Sequence, residues 1–373
     1  MSSRNFRIIC GAVAFCVLIA PALRAQTSHG QRGLQPAPST SPAASTAPTQ
    51  PTPASELQTG TNLTRQGMLQ QAIPHLLAAQ RAGLDAYAVG VNLSICYLGT
   101  GKYKQAIGEL ESLRRSGNTS TVVDNLLAQA YLGDGQTEPA LRVFKEAATA
   151  APEDEKLYAY MADACTDHQD YALGLRIAEM GLQQLPGSAR LHYERALFLS
   201  RLGRFDEAKP EFSRAAQLAP GSYIGYLSLV QKDLFEDKLA DADRVLHEAI
   251  KAGHREYDIL SLLGSVLLFE GAVPGQPQFA EARAALEESV RERSDYPDAQ
   301  IALGKLYLRQ GRFKDAATHL EIGRRFDPNN PSVYASLANA YNRLGERDKA
   351  REVSRQMGRL LAEKKAPSGA LRQ

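Results

Sequence analysis

A chain of 373 residues that is 44% apolar and 23% charged holds enough material for two average domains or one extended array of small units, which excludes disorder throughout. Its 43 Lys and Arg nearly balance 41 Asp and Glu, and losing Arg4, Arg7 and Arg24 with the leader described next brings the cations to 40. That balance argues against general nucleic-acid binding, because phosphate-driven affinity scales with the number of basic contacts.

Arg4 and Arg7 precede an apolar or small run from Ile8 to Leu23, and Ala25 borders a polar sequence beginning at Gln26. This is the layout of a secretory signal peptide. Residues 1–25 are expected to direct export to the periplasm or exterior and to be cut after Ala25, with Ala22 as the alternative site. The run is shorter than the roughly 20 residues a bilayer-crossing helix needs, and Pro21 interrupts it. An uncleaved anchor over residues 8–23 is therefore the second reading. Neither Cys10 nor Cys16 has the neighbours that lipid attachment requires. Of the cysteines beyond the leader, Cys96 and Cys165 fall two repeat units apart, which argues for two buried small side chains and against a disulfide.

From residue 26 to 52 the chain holds one large aliphatic residue, Leu34, one full charge, Arg32, and prolines at 36, 38, 42, 48 and 51. Such a segment buries too little apolar surface to offset its ordering entropy, so a disordered linker is predicted. Residues 365–373 are predicted to be a flexible tail.

Between them runs a period. A small residue after an acidic or polar pair recurs at Ala72, Ala106, Ala140, Gly174, Ala208 and Ala242, each 34 positions apart, then at Ala282 after 40, and at Ala316 and Ala350 after 34 again. Nine units result over residues 53–364, starting near 53, 87, 121, 155, 189, 223, 257, 297 and 331. A second small residue lies twelve earlier, as at Ser94, Ala128 and Ala162, and a third seven later, as at Ala79, Ala147 and Gly181. These are the close-approach points of two helices. A glycine usually separates them, at 67, 101, 135, 203, 271, 311 and 345, where a tight turn needs positive φ. Apolar residues between the marks keep helical spacing, so each unit is predicted to be a helix, a turn and an antiparallel second helix. The seventh unit carries six extra residues near 272–278, and Pro274 and Pro277 predict a loop there.

At this register the sequence resembles the tetratricopeptide repeat family. The family pattern is read almost whole in Leu303-Gly304, Tyr307, Gly311, Ala316, Leu320, Gly323 and Pro328, and again in Leu127-Ala128, Tyr131, Gly135, Ala140, Phe144, Ala147 and Pro152. Tyr158, Tyr226 and Tyr334 occupy the early aromatic position that the family often fills with Trp. The resemblance implies an all-α, right-handed superhelical solenoid whose inner wall is made by the first helix of each pair. It also implies a protein or peptide partner bound in that concave groove.

Motifs for chemistry are missing from the sequence. His247-Glu248-Ala249-Ile250-Lys251 begins like a zinc-protease helix but puts Lys where the second His must stand. Asp163, Asp167, His168 and Asp170 cluster, yet a hard cation needs more oxygen ligands than two carboxylates on one helix face. No nucleophile elbow or Walker-type phosphate loop occurs, and three Asn-X-Ser/Thr matches include one, at Asn92, that places Ser94 at a helix contact. The expectation is a non-catalytic protein with no cofactor and no metal.

What remains is surface. By register the inner wall takes Asn125, Gln129, Lys156, Asp163, Asp167, Arg190, Tyr193 and Arg201, then Lys305, Arg309, Asn339, Asn342 and Arg343. The last group resembles in composition, not in position, the carboxylate-gripping grooves of chaperone-binding family members, and an acidic or C-terminal peptide is the occupant this predicts. Two other classes stay open: a cell-wall glycan binder, for which export and Tyr193 speak, and an accessory subunit of an envelope assembly held by an uncleaved leader.

Overall fold

The computed structural model describes residues 52–365, and the leader, most of the linker and the tail lie outside them. All regular structure among the described residues is helical. The chain divides into two compact units between Gln169 and Asp170.

In the first unit, first helices α1 (Pro53–Arg65), α3 (Ala86–Gly99), α5 (Thr121–Gly133) and α7 (Glu155–Asp167) alternate with second helices α2 (Leu69–Arg81), α4 (Tyr103–Arg115) and α6 (Thr137–Ala150). The second unit opens on a second helix, α8 (Tyr171–Gln184). Pairs then follow as α9 (Ala189–Arg201) with α10 (Phe205–Leu218), α11 (Tyr223–Phe235) with α12 (Leu239–Lys251), and α13 (Tyr257–Phe269) with α14 (Pro277–Glu292). The last are α15 (Pro297–Arg309) with α16 (Phe313–Phe326) and α17 (Pro331–Leu344) with α18 (Arg347–Lys365).

Two local signals set these boundaries. All first helices but α13 and α15 begin on a side-chain cap: Thr52, Asp85, Ser120 and Asp154 in the first unit, and Ser188, Ser222 and Asn330 in the second, each accept a hydrogen bond from a first-turn N–H. They end on a left-handed residue, and the N–H after it reaches back to a carbonyl five residues earlier: Lys102 to Tyr97, Gln136 to Tyr131, Arg204 to Leu199, Arg312 to Tyr307, all at 2.8–2.9 Å. The turn glycines at 67, 101, 135, 203, 271, 311 and 345 have φ between 72° and 98°.

Helices of a pair meet through their small residues. Ala72, Ala106, Ala140, Ala208, Ala242, Ala282 and Ala316 are fully buried. An added Cβ at Gly60, Gly264 or Gly304 would stand 2.4–2.6 Å from the Cγ of Leu76, Leu286 or Leu320. Those leucines, with Phe144 and Phe212 at matching places, are fully buried, and each contributes about 1.5–3 kcal/mol relative to exposure. Two polar devices repeat as well. A side chain in the first turn of the first helix bonds a carbonyl six residues back: Tyr158 to Pro152, His192 to Pro186, Gln300 to Ser294, Tyr334 to Pro328. Later in the helix, Tyr131, Tyr307 and Tyr341 donate to Glu111, Glu287 and Glu321 of the preceding second helix.

The six-residue insertion is only partly loop. Pro277 does not sit in it but opens α14 at its first turn, where a missing N–H costs nothing, and α14 runs 16 residues against 13 or 14 in α2, α4, α6, α8, α10, α12 and α16.

Candidate functional site

The first helices of each unit pack against one another, α1 on α3, α3 on α5 and α5 on α7, and likewise α9 on α11, α13 on α15 and α15 on α17. Side chains on that shared face are the ones the register selects.

In the first unit, Asn125 and Gln129 lie four apart on one face of α5. They do not stand on an open wall as expected. Their exposures are 6% and 2%, because α3 and α7 close in on either side and leave a narrow slot flanked by Val91, Ile95, Leu157 and Tyr160. Gln129 Nε2 donates to Asn125 Oδ1 at 2.9 Å, and Asn125 Nδ2 makes a long 3.5 Å contact to the Leu157 carbonyl. Gln129 Oε1 is buried and has no hydrogen-bond partner among the described residues. Lys156 is exposed and borders the same slot beside Asp154, whose carboxylate caps α7 by accepting from the Lys156 N–H at 3.1 Å. Asp163 and Asp167 lie further along α7 and are half-buried. Among the described residues no three His, Cys, Asp or Glu side chains converge in a way that would hold a metal ion.

Cys96 and Cys165 are both buried in this unit and are not joined to each other. Burial pushes the Cys96 thiol up to about 11, against the 3.2 Å contact from Thr64 Oγ1. Asn92 and Ser94 are also buried and bond to carbonyls of their own helix, so neither offers itself for modification.

In the second unit, Arg190 pairs with buried Glu194 at 2.7 Å. Tyr193 departs from the expectation of a groove-lining ring: it is buried, edge-on to Phe212 with centroids 5.8 Å apart. Burial, then the carboxylates of Asp258 and Glu194, push its hydroxyl far above the usual range. Arg201 is exposed at the end of α9. Its charged end is crowded by protein although the side chain keeps solvent contact, and that desolvation works against its charge, but Asp298, Tyr171, Asp327 and Tyr296, drawn from α8 and from two later repeats, raise its guanidinium pKa.

The C-terminal cations do not form the expected grip. Arg309 donates through Nη1 to the carbonyls of Leu268 and Ala272, both at 2.9 Å, so it ties down the end of α13 and the inserted loop. Arg343 lies over the Phe313 ring at 4.9 Å. Lys305 is half-buried, and burial pulls its ammonium below the usual lysine range, Asp298 opposing and Arg309 reinforcing. Asn339 is exposed, and Asn342 opens onto the cleft between α17 and α18 beside Asp348, Arg351 and Arg355.

The register missed the apolar side of the first slot. Val91 and Ile95 had a readable signal: α3 is apolar nearly all round, which leaves no polar face for a wall, and every residue from Val89 to Gly99 is buried. Asp298 and Asp327, near Arg201 only through the fold, had none.

No helix among the described residues is long and apolar enough to cross a membrane. No curated protein sequence matches the chain. Among solved structures, a tetratricopeptide repeat protein from Parabacteroides merdae ATCC 43184 is 16% identical, covering 68% of this chain and 98% of its own at a TM-score of 0.49. MamA is 20% identical over 50% of this chain and 98% of its own, with a TM-score of 0.34. YrrB, described as a TPR protein with an unusual peptide-binding site, is 17% identical over 49% and 91%, with a TM-score of 0.33. Tetratricopeptide repeat models match residues 189–222, 275–339 and 331–356. With those matches falling on the same helix pairs whose small residues, left-handed turns and tyrosine bonds recur through the described residues, the chain belongs to the tetratricopeptide repeat family.

Proposed function

We propose that this protein is a non-catalytic scaffold that binds a protein or peptide segment along the face made by its first helices. The observation that carries the reading is the slot between α3, α5 and α7, where apolar side chains surround an amide acceptor without a donor. A preformed wall of this kind binds an extended segment with little ordering cost to itself. Export through residues 1–25, with 26–52 as a tether, belongs to the same reading, and the mass of the mature N-terminus tests it.

Photo-crosslinking residues placed at 156 and 201 on first helices, and at 145 and 214 on second helices, test the face used. Partner adducts from 156 and 201, with few from 145 and 214, are the expected result. Adducts of equal yield from both faces would overturn it.

A further inference from the structure

The slot on the first-helix face is specific enough to name what enters it. Gln129 is 2% exposed and lines the slot, yet its Oε1 meets no donor, while its Nε2 is fixed on Asn125. Turning the Gln129 amide over alone would set Oε1 against Asn125 Oδ1, and turning both amides would set Asn125 Oδ1 against the Leu157 carbonyl, acceptor against acceptor each time, so this network leaves the Gln129 acceptor without a donor. A buried acceptor without a donor costs about 1–3 kcal/mol.

Water competes for that acceptor, because Thr121, Asp154 and Lys156 also line the slot, but a water leaves the hydrocarbon of Val91, Ile95, Leu126 and Leu157 uncovered. The cavity is small, about 40 Å³, and its apolar wall suits the branched end of an aliphatic side chain. The donor must sit beside the aliphatic group, which is the arrangement of a backbone N–H next to a Leu, Ile or Val side chain.

We infer that the slot between α3, α5 and α7 takes an aliphatic residue of an extended peptide, its side chain between Ile95 and Leu157 and its backbone N–H donated to Gln129 Oε1. The inference rests on the scaffold reading above and deepens it: the anchor is an uncharged aliphatic residue, in place of the acidic group that the composition of the C-terminal cations predicts.

The test uses the full chain, labelled at Ile, Leu and Val methyls, and the blocked tripeptide Ac-Ala-Leu-Ala-NH₂ as probe. Saturable shifts of the Ile95, Val91 and Leu157 methyls are expected. Methylating the probe's leucine nitrogen removes the donor and is expected to weaken binding at least about tenfold. Gln129→Leu removes the acceptor without opening a cavity but takes the donor from Asn125 Oδ1, so the melting temperature is expected to stay near the wild-type value while binding falls by a similar factor. Ac-Ala-Asp-Ala-NH₂ is expected to leave the slot methyls unmoved. Unmoved methyls with the leucine probe, indifference to N-methylation, or equal response to the aspartate probe would each overturn the inference. Crosslinking from first-helix positions in the same preparations separates the two claims: adducts there with a silent slot remove only the slot, and adducts spread equally over both faces remove the scaffold reading.

Discussion

Gly174 shows how one position in the repeat answers another. Seven of the eight other units place alanine at this point with no exposed surface, but here α9 carries Phe198, whose Cε1 would stand 2.5 Å from an added Cβ. The ring takes the methyl's place. Gly174→Ala is therefore expected to destabilise the protein by about 1–3 kcal/mol through overpacking, and the same change in a Phe198→Leu background should cost close to nothing. Urea titration of the four proteins of this cycle reads the coupling; equal losses in both backgrounds would clear the ring of blame. The same period accounts for the two non-glycine residues with positive φ among the described residues, Gln169 at 58° and Asp237 at 56°. They stand where Gly135 and Gly203 stand one unit earlier, so the fold imposes a left-handed turn on residues that resist it. Arg309 shows what a register cannot say. Its place on the wall follows from spacing, but its two carbonyl partners come from the end of α13 and from an insertion that breaks the period. Charge reversal there would loosen the inserted loop, whatever it did to a ligand.

Elements are joined by second-helix contacts as well as by the wall. His247 on α12 has Nδ1 at 3.1 Å from Asp243 and Nε2 at 3.0 Å from Glu281 on α14, and Glu270 at the end of α13 adds a further carboxylate whose own charge burial disfavours. Burial opposes the imidazolium, but the Asp243 carbonyl and the Glu281 carboxylate outweigh it, so the His247 pKa is raised above 6.5. A histidine whose folded value exceeds its unfolded value stabilises fully below about 6.5 and loses that stabilisation as pH rises through the folded value. Stability of the wild type relative to His247→Gln is therefore expected to fall between about pH 6 and 8. The group is 43% exposed, so the difference should shrink in high salt. A difference that is flat across this window, measured by denaturant titration, would show that the pair does not couple α12 to α14. At this scale most of the fold was legible: helix–turn–helix pairs follow from small residues, glycines and apolar spacing in one unit. The slot was half legible, since Asn125 and Gln129 come from the register of α5, whereas their burial depends on what α3 and α7 place beside them.

In an array each pair depends on its neighbours, because one helix pair exposes an apolar face that it cannot cover alone. The end of the second unit makes this testable. Among its described side chains α18 is largely exposed and places only Ala350 and Val353 in the core, at 3% and 5% exposure, against α17. On the other side of that contact Leu337 and Ala340 are fully buried, and Tyr341 reaches back to Glu321 of α16 at 2.8 Å. Removing residues 346–373 uncovers the face of α17 that packs on α18, while its packing on α16 and its tyrosine bond to Glu321 remain. With stabilities set by local units and their interfaces, protection should not fall evenly. Amide hydrogen exchange is expected to show α17 losing protection first, by about a hundredfold or more for the roughly 3 kcal/mol that burying one or two aliphatic side chains supplies. α15 and α16 should lose less, and α9 to α12 should stay near their full-length values. A uniform loss from α9 to α17 would mean that the second unit unfolds as one cooperative body, and nearest-neighbour stacking would then be the wrong description of what holds it together.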